Sequence, residues 1–142
     1  IGAGRGHWQK VLSKAGVDIV AFDDFSHIPA LTAAYDGSNN EAVAAALAEY
    51  MVGKVKHGNQ SEIAKHPKRT LLLCYPPPSP LAAACLELYK GKKLVYVGEG
   101  RGGCNANAKF FDVLQSDWEI EQEVKLKPFV GGLERLYVLR RK

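Results

Sequence analysis

The chain is poor in the residues that build covalently or metal-stapled folds. It has three cysteines in 142 residues, Cys74, Cys85 and Cys104. An odd number at those spacings argues against a disulfide framework. No Cys-x-x-Cys or His-x-x-x-His pair occurs, and His7, His27, His57 and His66 are dispersed. That excludes the usual structural zinc patterns, and no metal is expected. Cys74 and Cys85 sit in apolar surroundings and read as small core residues. Unpaired thiols suit a reducing compartment, so a cytoplasmic location is expected. No apolar run reaches the ~18 residues of a membrane span, and neither a membrane partner nor a signal peptide is expected. A large excess of one charge is also missing. Nineteen Lys and Arg face fifteen Asp and Glu, for a net charge of +4. This balance permits an anionic ligand or a nucleic acid without requiring either. The densest basic cluster, Arg140-Arg141-Lys142, reads as a solvated end and not as a nucleic-acid footprint.

What is present suits one globular domain over residues 1–142, with 46% hydrophobic and 24% charged residues. A chain of this length buries roughly 68–70% of its unfolded surface. Trp8, Val11, Leu12 and Ala15 recur at helical spacing from Gly6, and Gly16 stands as a C-cap. Residues 17–22 read as a buried strand ending at Asp23-Asp24. Residues 25–40 read as loop. Ser38 and Glu41 form a capping-box pattern before an Ala-rich helix to about Met51. A short strand is expected at 54–57, one helical turn within 60–69, and a strand covered on both faces at 70–74. Ser79 and Pro80 start a helix to about Tyr89. A buried strand follows at 94–97. A helix capped by Asn105 or Asn107 carries Phe110, Phe111 and Leu114. A half-exposed strand at 119–126 and a last strand at 133–140, joined by a turn at Gly131-Gly132, should pair antiparallel. The alternation predicts an α/β fold: helical layers around a mostly parallel sheet with an antiparallel C-terminal hairpin.

The opening IGAGRG places glycines at 2, 4 and 6 where a strand should hand over to a helix. In an open α/β sheet, ligands bind outside the carboxyl ends of the strands. A glycine turn there lets the backbone approach a ligand, and the helix N-terminus favours negative charge. Asp23, ending the next strand, would point into the same crevice and accept hydrogen bonds from both ribose hydroxyls. The dinucleotide fingerprint fails, because His7 stands where G-x-G-x-x-G needs its third glycine.

The G-x-G-x-G pattern, Asp23, the Tyr75-Pro76-Pro77 loop and the terminal hairpin together resemble the class I S-adenosylmethionine-dependent methyltransferases. More narrowly, they resemble a methyltransferase-like group with a Trp/Tyr-Pro-Pro motif after its fourth strand. The resemblance covers nearly the whole chain. It implies a three-layer αβα, Rossmann-like fold whose first strand lies upstream of Ile1. It implies S-adenosylmethionine as cofactor, lined by Gly2, Ala3, Gly4 and Gly6. Asp23 would hold the ribose, with Asp24 as the fallback. Asn59 would border the adenine, and Tyr75 the methyl group and acceptor. Tyr75 and Glu99 are the catalytic candidates. Tyr75-Pro76-Pro77-Pro78 departs from the Asp/Asn-Pro-Pro-Tyr/Phe of enzymes that methylate amino nitrogens, so the acceptor stays open.

Plainer roles stand beside these. The glycines could form a turn without a ligand, and Asp23 could end a strand at the surface. Tyr75 could be a core aromatic, and Glu99 a solvated carboxylate paired with Arg101. Trp8 reads as core packing, and His7 as a cap or a substrate contact. The two functions that fit are a methyltransferase and a non-catalytic methyltransferase-like binding module.

Overall fold

The structure is a computed structural model that describes residues 1–28, 40–127 and 130–142. The chain divides into two compact units, one of residues 2–59 and one of residues 60–142 together with Ile1.

The first unit holds α1 (His7–Lys14), β1 (Phe22–Asp23), α2 (Asn40–Tyr50) and β2 (Lys56–His57). α1 ends as its sequence predicts. Gly16 adopts φ 85°, its N–H reaches the Ser13 carbonyl, and the Val17 N–H reaches that of Leu12. The carbonyls left unpaired at the helix end are thereby satisfied. β1 and β2 pair in parallel, Phe22 opposite Lys56 and Asp23 opposite His57. The strand expected over 17–22 is therefore reduced to its last turn of pairing. β2 offers only two residues, and Val17 is exposed. The apolar stripe of α1 is likewise not core: Trp8 is 37% and Val11 63% exposed, and Gln9 is its one buried residue. Ser38, and most of the expected loop from Pro29 onwards, lie outside the described residues.

The second unit holds a 3₁₀ helix (Gln60–Lys65), β3 (Leu71–Cys74), α3 (Leu81–Leu88), β4 (Lys93–Gly98), α4 (Ala108–Asp117), β5 (Trp118–Lys125) and β6 (Arg135–Arg141). Its sheet has the order β3-β4-β6-β5. β3 and β4 are parallel; β6 is antiparallel to both β4 and β5. The expected C-terminal hairpin is present. The sheet is mixed, not mostly parallel, because β5 and β6 have no helix between them and must reverse direction.

Leu71, Leu73, Leu94, Tyr96 and Leu139 point to one face of this sheet. There they pack with Ile63, Ala82, Cys85, Leu86 and Phe110 from the helices. Burying each large apolar side chain stabilises the fold by about 1.5–3 kcal/mol. Residues 71–74 alternate in burial, so the expected burial on both faces is not reached. In β5 only Trp118 is buried, with Ile120 57% and Val124 39% exposed, making it an edge strand instead of a half-covered one. Asn107 caps α4 by accepting the Phe110 N–H at 3.1 Å. At α3, Pro80 itself occupies the cap position, one residue later than expected, while Ser79 Oγ accepts the Leu81 N–H at 3.4 Å.

The basic end is consumed internally. Arg140 pairs with Glu119 and Glu121. Arg141 donates to the Tyr89 and Gly91 carbonyls and lies 4.5 Å over the Trp118 ring. Lys142 Nζ reaches the Gln115 and Ser116 carbonyls.

Burial separates the three thiols. Desolvation pushes Cys74 up to about 12 and Cys85 up to about 11, whereas Cys104 is exposed. Thiolate is the reactive form. Alkylation at pH 8 should therefore modify Cys104 first and reach the other two only in denaturant. Peptide mapping that finds Cys85 labelled as fast as Cys104 in the native protein would contradict this packing.

Candidate functional site

Gly2, Gly4 and Gly6 all adopt left-handed backbone, with φ of 67°, 54° and 82°. Glycine alone takes that conformation without strain. The turn is tied down on several sides. Ala3 N–H donates to the Phe22 carbonyl at 3.1 Å, and Gly6 N–H to that of Ala3 at 3.0 Å. Val52 and Gly53 N–H groups both reach the Arg5 carbonyl. Gly6 is closed in by packing: a Cβ there would lie 2.8 Å from Val55 Cγ2 and 2.9 Å from Gly53 Cα. Gly4 differs, since a Cβ would meet nothing within 4 Å. Its side of the turn is open, and only its positive φ restricts it.

Asp23 is 4% exposed. Its Oδ2 accepts the Gly4 N–H and its Oδ1 the Phe25 N–H, both at 2.7 Å. His27 Nδ1 stands 3.6 Å from Oδ1. The carboxylate at the end of β1 is thus a clamp on the glycine turn. Asp24 is exposed, and its Oδ1 accepts the Ser26 N–H at 3.0 Å and hydroxyl at 2.7 Å. The Ser26 N–H and hydroxyl, aided by His27 and His57, hold its carboxyl below the ordinary range. Asn59 is exposed just after β2, where the Gly58 N–H donates to the Asp23 carbonyl at 3.0 Å. His7 and Trp8 are both exposed.

Two anchors of this unit escape sequence reasoning. Gln9 is buried, and its Oε1 accepts the Lys54 N–H at 2.7 Å. Arg5 donates to the Tyr50 carbonyl and lies 4.9 Å over the Tyr50 ring. Both partners are more than forty residues away, so no local pattern could reveal them.

In the other unit, Tyr75 leaves β3 with φ 48° and donates its N–H to the Val97 carbonyl at 2.7 Å. Its ring is half-buried. Desolvation, then the carboxylate of Glu134 and the thiol of Cys74, raise its phenol pKa. Glu99 leaves β4 alongside. Its Oε2 accepts the Cys104 N–H at 2.7 Å, which, with the Leu133 N–H, lowers its pKa. Arg101 is not its partner: Arg101 pairs with Asp112 at 2.6 Å. Asn105, unsuspected as a site element, ties the two loops. Its Oδ1 accepts the Glu99 N–H at 3.0 Å and its Nδ2 donates to the Pro76 carbonyl at 3.4 Å. The structure thus groups Gly2, Ala3, Gly4, Gly6 and Asp23 in one unit, and Tyr75 and Glu99 in the other.

No family model and no curated protein matches the chain. Several solved structures are similar in fold, two of them as follows. One is the Pyrococcus abyssi tRNA (uracil-54, C5)-methyltransferase in complex with S-adenosyl-L-homocysteine. The likeness has a TM-score of 0.56 at 18% identity and covers 99% of this chain and 32% of that one. The chain spans about a third of that enzyme's length. The other comes from work on the conversion of a disulfide bond into a thioacetal group during echinomycin biosynthesis. It has a TM-score of 0.55 at 13% identity and covers 99% of this chain and 73% of that one. At these identities the likeness shows a methyltransferase-like fold. Among the described residues no helix is long and apolar enough to cross a membrane, and no group of three or more His, Cys, Asp or Glu could hold a metal.

Asp23→Ala should cost the fold at least about 1.5–3 kcal/mol, because buried N–H donors lose a charged acceptor. Asp24→Ala should leave the melting midpoint nearly unchanged; equal midpoints for the two variants would refute the clamp. Glu99 carries a sign-definite acid response. Its folded pKa lies below the ordinary value, so its bonds persist above that value and are lost as pH falls through the lowered one. Hydrogen-exchange protection of the Cys104 amide should accordingly hold at pH 5 and drop only at stronger acid.

Proposed function

We propose that the chain is an S-adenosylmethionine-dependent methyltransferase-like domain whose cofactor segment is Gly2, Ala3, Gly4, Gly6, Asp23 and Asp24. The glycine turn carries this reading. Three alternating left-handed glycines lead into α1, and the side of Gly4 where a Cβ would stand is open. Such a cradle fits a ligand lying against bare backbone. Bound S-adenosylmethionine would supply an already electrophilic methyl group. The chain's own residues then need only bind and orient. In this reading Asp23 keeps the turn in shape while exposed Asp24 accepts from ribose hydroxyls, and Asn59 borders the adenine. Tyr75 and Glu99 are the candidates for catalysis. The Tyr75 phenol is protonated at neutral pH even at its ordinary value of about 10, and burial pushes it further up, so it orients by donating. Glu99 accepts, with one oxygen already committed to its own loop. The similar Pyrococcus enzyme acts on tRNA, but the basic residues 140–142 here are paired within the chain, so no RNA acceptor is proposed.

A second reading is a binding module without transfer activity. The Tyr75-Pro76-Pro77-Pro78 run favours it, because it holds no amide or carboxylate to receive an acceptor amine.

Calorimetric titration of the full-length protein should show binding of S-adenosylmethionine and none of NAD. Gly4→Val should abolish that binding, since a β-branched residue is an outlier at φ 54°. Asp24→Ala should weaken it roughly ten- to a hundred-fold, the worth of charge-assisted bonds. Wild-type protein that does not bind S-adenosylmethionine would end the proposal. Binding without transfer of labelled methyl to any fraction of its own cell extract would select the module.

A further inference from the structure

The outer strand of the second unit's sheet is β5, eight residues long. Every residue from Glu119 to Lys125 is exposed. A strand edge offers a row of N–H and C=O groups to another strand. A register shift between Ile120 and Gln122 blunts the first half of this edge, but from Gln122 to Lys125 the pairing with β6 is regular. The Leu126 N–H donates to the Glu134 carbonyl at 3.1 Å and continues that register. Successive residues of an antiparallel strand alternate between bonding to the partner strand and facing away from it. Leu126 bonds to β6, so the backbone groups of Glu123 and Lys125 point outward from the sheet edge.

Charge decides what fits this edge. β5 and the two residues after it carry charge in two blocks, Glu119, Glu121 and Glu123, then Lys125 and Lys127. The acidic block is answered within the chain, Glu119 and Glu121 by Arg140 and Glu123 by Arg135. The basic block is not. Among the described residues no carboxylate pairs with Lys125 or Lys127, and Lys125 stands opposite Arg135. Like charges directly opposite destabilise a strand pair. Run antiparallel to a second copy, the strand is its own complement. We propose that two copies of the chain associate edge to edge through β5, antiparallel about a two-fold axis at Val124. Each Glu123 then lies opposite Lys125 of the partner subunit. These are the residues whose backbone groups point outward, so both pairs exchange N–H and C=O bonds. The two Val124 side chains, 39% exposed in one copy, meet on the axis as a non-hydrogen-bonded pair, the closer kind. The contact is the same patch on both copies, so it closes at a dimer. So short an edge buries little area, and a weak, salt-sensitive dimer is expected. The contact lies on the second unit and does not rest on the cofactor reading.

Sedimentation equilibrium of the full-length protein should show a reversible monomer–dimer exchange that weakens as salt is raised. K125E sets like charges opposite in both pairs and should weaken dimerisation by roughly tenfold or more. E123K should do the same. An equimolar mixture of K125E and E123K should recover the association, because each carboxylate then meets a lysine. Register is read by cross-linking in a C104S background, which removes the exposed thiol. V124C should give a disulfide-linked dimer on mild oxidation, since a non-hydrogen-bonded pair holds its Cα atoms ~4.5 Å apart, within the span of a disulfide. Q122C, displaced from the axis, should not. The proposal is overturned by a protein that stays monomeric up to about 1 mM. It is equally overturned by a dimer indifferent to K125E, by a mixture of the two variants that does not associate, or by Q122C linking as fast as V124C. K125E should leave S-adenosylmethionine binding unchanged, which separates failure of the dimer from failure of the cofactor reading.

Discussion

β6 enters the second unit between β4 and β5 and runs antiparallel to both. The end of the sheet that Tyr75 and Glu99 leave depends on this insertion. The parallel pair β3-β4 delivers Cys74 and Gly98 at its carboxyl end. A reversed β6 must begin where those strands finish, so Arg135 at its start lies opposite Gly98. Cross-strand pairs on the exposed hairpin, Arg140 with Glu119 and Glu121 and Arg135 with Glu123, match charges between β5 and β6. Each is worth only about 0–1 kcal/mol at a surface, so their main effect is on alignment. Arg141 ties the far end, donating to the Tyr89 and Gly91 carbonyls.

In the first unit a single carboxylate does comparable work. Asp23 ends β1 and gathers the Gly4 and Phe25 N–H groups. The left-handed turn, the strand end and the start of the following loop are held by that one side chain. Its burial lets it hold the turn, while its neighbour Asp24 is exposed to solvent. The two adjacent aspartates therefore divide into a positioning group and an accessible one.

Much of this was legible locally. Gly16 closes α1, Asn107 caps α4, and the 131–132 turn precedes a paired hairpin, because caps and turns are governed by a few adjacent backbone bonds. The alternating glycines were readable as a turn for the same reason, and the structure gives them left-handed backbone. Burial was read less well. Trp8 and Val11 have the spacing of a packed face and stand exposed, while Gln9 between them is buried by its bond to Lys54. Periodicity reports which residues share a face; it does not report whether anything covers that face.

The sequence by itself determined most of the elements, the caps at Gly16 and Asn107, and the candidates Gly2, Gly4, Gly6, Asp23, Tyr75 and Glu99, because those depend on near neighbours and on side-chain chemistry. Tertiary structure decided what each group is free to do. It committed both Asp23 oxygens to backbone, gave Arg101 to Asp112 instead of Glu99, and made the sheet mixed. It also buried Glu134 and left one of its carboxylate oxygens without a hydrogen-bond partner among the described residues. The physical reason is sequence separation. Partners such as Asp23 and Gly4, nineteen residues apart, or Gln9 and Lys54, forty-five apart, are chosen by how the elements pack, which no local pattern encodes.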